Sequence, residues 1–104
     1  MLRLPILTLL IALAVSPAVL AADLADGRRL VQDKCAACHA VEPRTPSPHQ
    51  DAPPFADVAN RYKPEDLAEA FAEGIVVGHP DMPEFTLTPN EIDALIAYLE
   101  SLRR

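Results

Sequence analysis

The segment Cys35-Ala36-Ala37-Cys38-His39 constrains the fold of this 104-residue chain more than any other feature. Two thiols three positions apart on one helical turn can each add across a vinyl group of a porphyrin. A histidine directly after the second thiol then lies under the iron, and histidine is a usual ligand of haem iron. C-x-x-C-H is the attachment signature of c-type haem. We therefore expect one haem, held covalently by Cys35 and Cys38 and bound at its iron by His39.

Three other interpretations of the two cysteines explain fewer residues. A redox disulfide of the C-x-x-C type usually accompanies a βαβ pattern, and the chain has no segment of convincing strand alternation. A zinc site needs four ligands, whereas the remaining histidines, His49 and His79, stand singly. A purely structural disulfide leaves the adjacent His39 without a role. Haem attachment accounts for all three residues of the motif.

Residues 1–21 have the pattern of an export signal. A cationic start at Arg3 precedes an apolar run over residues 4–15, and small residues follow where signal peptidase cleaves. We expect cleavage after Ala21, with Ala22 as the alternative. The mature protein would then lie in the periplasm.

An uncleaved membrane anchor facing the periplasm is the competing interpretation of this segment. Residues 4–22 approach the roughly 20 residues that span a bilayer. Pro5, Pro17 and the cleavage-like end favour export. With the signal removed we expect no stable membrane insertion, and a single domain over residues 22–104.

The expected mature domain is small and acidic. Loss of residues 1–21 removes only Arg3 among the charged side chains, so the formal charge falls from −6 to −7. An acidic balance argues against nucleic acid and favours a partner with a positive or apolar surface. A domain of this size buries only about 60% of its unfolded surface and needs a staple, which a covalent porphyrin would supply.

Three helices are predicted, and the absence of convincing strands indicates an all-α domain. They cover residues 23–34, Pro64–Glu73 and 88–102. A capping-box pattern, with proline at the next position, starts the last helix. Residues 41–60 are predicted as loop because five prolines remove backbone donors and fix φ.

Met82 is the candidate for the second axial ligand. It is the only methionine after the expected cleavage site, and it follows His39 by 43 positions in a segment flanked by prolines. The prolines restrict the segment, which lowers the entropy of holding a weak ligand in place, and His/Met ligation is typical of cytochromes c. His79 is the rival ligand, and we expect it to be an exposed loop histidine instead. His49 is expected to be solvated.

Residues 23–104 resemble the small bacterial class I cytochromes c. The resemblance rests on the C-x-x-C-H motif, on Met82-Pro83, on Gly27 eight residues before the first cysteine, and on the closing segment 91–99. It implies a compact fold in which helices and loops wrap around one covalently bound haem.

The resemblance also implies how the terminal helices pack. In this family the first and last helices cross at nearly right angles. Gly27 would provide the close approach, and Val31 would meet Tyr98 or Leu99. A glycine inside a helix costs about 1 kcal/mol relative to alanine, which itself suggests a packing reason.

Further site residues follow from the resemblance. Family members often carry Gly-Pro-x-Leu after the haem motif, and Ala52-Pro53-Pro54-Phe55 is similar but lacks the glycine. Pro53, or alternatively Pro54, would supply the carbonyl that accepts the other proton of the proximal imidazole. The chain has no tryptophan to bind a propionate, so Arg61 and Tyr62 are the candidate substitutes.

An apolar crevice is expected around the haem, because apolar surroundings disfavour the charged ferric state and raise the potential. The residues predicted to form its wall are Phe55, Leu67, Phe71, Ile75, Val76, Phe85, Leu87 and Leu95.

These observations predict an exported, monomeric one-electron carrier with His39 and Met82 as axial ligands, shuttling electrons between redox proteins. Two other classes stay open. One is a haem enzyme or gas sensor with a labile distal ligand, and the other is a cytochrome subunit of a larger oxidoreductase. No catalytic acid, base or substrate pocket is evident in the sequence, which favours the carrier.

Overall fold

Four α-helices form the architecture of the protein in a computed structural model, which describes residues 2, 4–14, 16–75 and 79–104. The helices are α1 (Pro17–Lys34), α2 (Phe55–Arg61), α3 (Pro64–Glu73) and α4 (Pro89–Leu102). Within the described residues strand pairing is limited to one isolated antiparallel bridge between Ile75 and Phe85. The predicted all-α fold is confirmed.

Helix α1 begins six residues before the predicted start, so the predicted bound at residue 23 was wrong. Ser16 caps the helix by accepting a hydrogen bond from the Ala18 N–H at 3.4 Å, and Pro17 occupies the first helical position. The side chains of residues 17–22 are nevertheless exposed, and burial begins only at residue 23. None of the described helices is long and apolar enough to cross a membrane.

Helices α1 and α4 pack with their backbones in close approach at Gly27. A Cβ atom at this position would overlap the carbonyl oxygen of Ala94 and would lie 2.9 Å from the Cβ of Tyr98. Val31, one turn further along α1, is fully buried in the same apolar cluster as Tyr98 and Leu99. Glycine is therefore required at position 27 by the packing of the two helices.

Tyr98 joins α4 to the chain segment that follows the cysteine motif. Its hydroxyl donates a hydrogen bond to the Val41 carbonyl at 2.5 Å, and the Arg28 guanidinium lies 6.0 Å from its ring centroid. Burial raises the pKa of the Tyr98 phenol, and the nearby Glu42 carboxylate raises it further. The phenol therefore stays protonated as a donor.

The sequence signals for the two C-terminal helices are realised at the predicted positions. Helix α3 has proline at its first position and ends at Gly74, whose φ of 92° favours glycine. At the start of α4, Thr88 Oγ1 accepts from the Glu91 N–H at 3.2 Å, and Glu91 Oε1 accepts from the Thr88 N–H at 3.0 Å. These reciprocal bonds form the predicted capping box.

Helix α2 was not predicted, so the loop assigned to residues 41–60 was wrong over its last six positions. Pro54 stands at the N-cap, where a missing N–H costs nothing, and no proline follows within the helix. Phe55 and Ala59 lie one turn apart and are buried. The prolines therefore precede this helix rather than prevent it.

Candidate haem site

The cysteine motif continues the helical path beyond the end of α1. The Cys35 N–H donates to the Val31 carbonyl at 2.9 Å, and the Cys38 and His39 N–H groups donate to the Cys35 carbonyl at 3.2 and 2.9 Å. Residues three and four apart on such turns share a face. Cys35, Cys38 and His39 are accordingly presented together, and each is half-buried.

The two cysteines are not joined to each other by a disulfide. Burial raises the pKa of the Cys35 thiol to about 11, and this effect outweighs the lowering by the adjacent Lys34 charge. Before haem is attached, this sulfur is therefore a protonated thiol at neutral pH. The described residues contain no group of three or more potential ligands arranged to hold a metal ion on their own.

The imidazole of His39 is held from two sides. Its Nδ1 lies 2.7 Å from the carbonyl oxygen of Pro53, and since a carbonyl only accepts, Nδ1–H donates. The ring of Phe55 lies against it, with centroids 5.1 Å apart and the planes tilted by 52°. The lone pair is consequently on Nε2, which is the nitrogen that can bind a metal.

The proline-rich loop after the motif folds back onto it. The Ala40 N–H donates to Ser47 Oγ at 3.0 Å, the His49 N–H donates to the Cys38 carbonyl at 3.0 Å, and the Phe55 N–H donates to the Ala40 carbonyl at 2.9 Å. These bonds place the Pro53 carbonyl beside His39. The loop therefore builds the surroundings of the imidazole.

Met82 lies half-buried in a turn whose first residue is His79. The Met82 N–H donates to the His79 carbonyl at 3.2 Å. On the C-terminal side, the Ile75 N–H donates to the Phe85 carbonyl at 3.1 Å and ties the segment back to the end of α3.

Sequence reasoning missed the partners of the two loop histidines. His49 Nε2 lies 3.0 Å from Asp81 Oδ2, and His79 Nε2 lies 3.3 Å from Asp51 Oδ2. His49 was expected to be solvated and His79 to be an exposed loop histidine; their side chains are 29% and 39% exposed, and the carboxylate partners were not foreseen. The hydrogen bond from His49, together with the nearby histidine charges, lowers the pKa of the Asp81 carboxyl. A repeated His-x-Asp pattern was the only sequence signal of this pairing.

The predicted crevice residues divide by burial. Phe55, Leu87 and Leu95 are buried, and the partly buried Leu67 and Phe71 of α3 pack against the same cluster. The bridge residues Ile75 and Phe85 are half-buried, while Val76 falls outside the described residues.

Arg61 and Tyr62, the candidate propionate ligands, end helix α2 on the surface. Tyr62 is 48% exposed, and Arg61 is also exposed. Within the described residues neither side chain forms a hydrogen bond or an ion pair. Both are thus accessible, and their role stays a prediction.

The donor set fits covalent haem. Two unlinked thiols lie on the same face as an imidazole whose Nε2 lone pair is available, and the buried ring of Phe55 adjoins that imidazole. Thioether attachment uses the thiols, and the imidazole supplies one iron ligand.

The chain belongs to the cytochrome c family, whose model matches residues 24–103. It is 39% identical over 88 residues to cytochrome c-552 of Bradyrhizobium diazoefficiens, an alignment that covers 85% of this chain and 83% of the relative. No solved structure matches the chain. The protein is thus a small monohaem class I cytochrome c that carries covalent haem c and transfers electrons to and from other redox proteins.

Proposed function

We propose that this cytochrome is an exported one-electron carrier with His39 and Met82 as axial ligands. The contact of His39 Nδ1 with the Pro53 carbonyl is the main support for the proposal, because it leaves Nε2 as the nitrogen that can bind iron. The bound haem supplies the one-electron ferric/ferrous chemistry. The residues of the chain hold the ligands, limit access to the iron and set the surroundings of the haem.

His39 acts as the fixed ligand. Donation of its Nδ1 proton to Pro53 orients the ring and makes Nε2 a stronger donor. The Phe55 ring restricts rotation about the side-chain torsions. A ligand held in this way changes little between oxidation states, and small reorganisation favours fast electron transfer.

Met82 acts as the second ligand in this proposal. Met82 is half-buried and lies between the bridge at Phe85 and the contacts of His79 and Asp81 with the other loop. A thioether is a neutral ligand that favours the ferrous state and raises the potential. The apolar residues of the expected crevice act in the same direction.

Replacement of Met82 tests the ligand assignment. Met82→Ala is expected to lower the reduction potential and to open the iron to carbon monoxide in the ferrous protein. Met82→His is the matched control, since it lowers the potential but keeps the iron closed. An unchanged potential in Met82→Ala, with no gain in carbon monoxide binding, would contradict the assignment.

Export into the periplasm is the second part of the proposal. The described residues before 17 are exposed, and so are residues 17–22 of α1, so none of the described residues that cleavage after Ala21 would remove belongs to the buried core. We expect the protein in a periplasmic extract to begin at Ala22, or at Asp23 if cleavage follows Ala22. An intact N-terminus recovered in the membrane fraction would support the anchored form instead.

The surface charge indicates the chemistry of the redox partners. A formal charge of −7 on residues 22–104 favours partners with positive or apolar docking surfaces. We propose that the protein is a monomer that docks transiently. The electron-transfer rate with a basic partner should fall as ionic strength rises, and a rate independent of salt would contradict charge-guided docking.

A further inference from the structure

The pattern His-x-Asp occurs twice in the chain, and the fold brings the two copies together. His49 donates towards Asp81, with 3.0 Å between Nε2 and Oδ2, and His79 donates towards Asp51, with 3.3 Å between the same atom types. The two imidazoles meet edge to face, with centroids 5.6 Å apart and planes at 88°. We name these four residues the histidine–aspartate clasp.

Local hydrogen bonds fix the direction of donation in the clasp. The Asp51 N–H donates to His49 Nδ1 at 3.1 Å, and the Asp81 N–H donates to His79 Nδ1 at 3.2 Å. A ring nitrogen that accepts has no hydrogen, so in each neutral ring the hydrogen is on Nε2. Each histidine is therefore anchored within its own segment and donates to a carboxylate of the other segment.

The clasp connects the two segments that carry the proposed iron ligands. The His49 N–H donates to the Cys38 carbonyl at 3.0 Å, within the motif that ends at His39. On the other side, the Met82 N–H donates to the His79 carbonyl at 3.2 Å. Among the described residues, the clasp supplies every side-chain hydrogen bond between residues 79–82 and the remainder of the chain.

We propose that the clasp is a positioning device that holds the Met82 turn closed over the iron, an inference that rests on the proposed ligation by Met82. A thioether is a weak ligand, so the rate at which its segment swings away limits access of foreign ligands. The four side chains are 29 to 63% exposed, and each pair alone contributes little. Two pairs act together because both must break before the segment can move.

The test is the rate at which imidazole binds to the ferric holoprotein, at concentrations where opening of the Met82 turn is limiting. Asp51→Ala and Asp81→Ala should each raise this limiting rate by about 2- to 5-fold, and the double variant by about 4- to 25-fold. Asp81→Asn keeps an acceptor oxygen and should stay within about 2-fold of wild type. Asp93→Ala, an exposed change on α4, is the matched control.

Met82→Ala measured alongside separates failure of the clasp from failure of the ligand assignment. The proposal is supported if Met82→Ala binds imidazole rapidly and if adding Asp51→Ala or Asp81→Ala to Met82→Ala gives no further acceleration. The clasp alone is overturned if Met82→Ala binds imidazole rapidly while both aspartate variants keep the wild-type rate. It is also overturned if Asp93→Ala raises the rate as much as the aspartate variants of the clasp do. A wild-type rate in Met82→Ala overturns the ligation by Met82 and the positioning role together.

A second measurement examines the clasp without reference to Met82. In the diamagnetic ferrous protein, long-range ¹⁵N–¹H spectra should show His49 and His79 with the hydrogen on Nε2 and a lone pair on Nδ1. Asp81→Ala should alter the Nε2 signal of His49, whereas Asp93→Ala should not. A hydrogen on Nδ1 of either neutral ring would overturn the geometry.

Discussion

Gly27 lies directly against the backbone of Ala94, so that a Cβ on Gly27 would overlap the Ala94 carbonyl oxygen. Overlap with backbone cannot be relieved by a rotamer change. Gly27→Ala should therefore lower the free energy of unfolding by about 2–3 kcal/mol, although alanine is the better helix former. Guanidinium unfolding of the holoprotein measures the change.

Ala25→Gly is the control for helix propensity, because Ala25 is exposed on the same helix. It should cost about 1 kcal/mol without affecting the packing of α1 on α4. A Gly27→Ala protein as stable as wild type would show that the two backbones can separate without cost.

The Tyr98 hydroxyl is expected to contribute through its bond to the Val41 carbonyl. Tyr98→Phe preserves the buried ring but leaves that carbonyl without this donor, which should cost about 2 kcal/mol. Tyr62→Phe is the control, since Tyr62 is 48% exposed. Equal denaturation midpoints for Tyr98→Phe and Tyr62→Phe would show that the Tyr98 hydroxyl does not stabilise the fold.

The capping box of α4 gives a prediction for helix stability. Thr88→Ala removes the acceptor for the Glu91 N–H and should cost about 1 kcal/mol. Thr88→Ser keeps a hydroxyl and should restore most of the loss. If serine were no better than alanine, the side-chain oxygen would have no capping role.

Stability should also depend on pH through Glu91. Hydrogen bonds from the backbone and side chain of Thr88 lower the pKa of the Glu91 carboxyl. The stabilisation is therefore complete above the unfolded pKa, about 4.3 for glutamate, and is lost as pH falls through the lower folded value. Unfolding measured from neutral to acid pH should show a smaller acid loss in Glu91→Gln than in wild type. Parallel profiles for the two proteins would contradict this prediction.

The elements that the sequence predicted well have local causes. Helices α3 and α4 begin at proline and carry their own capping residues, so a short stretch of chain determines their bounds. Helix α2 was not predicted because residues 41–60 contain five prolines, a density that is typical of a loop. The positions of the prolines permit the helix, since Pro54 occupies the N-cap and the following seven residues contain no proline.

In the haem site, too, features that depend on residues close in sequence were predicted, and features that depend on distant residues were not. The C-x-x-C-H motif and the Pro53 carbonyl follow from sequence and family pattern, because they depend on one motif and the loop after it. The histidine–aspartate clasp joins residues 28 and 32 positions apart. Such pairing depends on how two loops meet in space, which a repeated three-residue pattern does not determine.

An optical redox titration of the purified, matured protein tests the central claim most directly. We expect a c-type spectrum that persists after denaturation, because the haem is bound through Cys35 and Cys38. We also expect a single Nernst wave of about 59 mV per tenfold change in the oxidised-to-reduced ratio, as a one-electron couple requires. Release of the haem on denaturation, or the absence of a reversible one-electron wave, would contradict a covalent monohaem electron carrier.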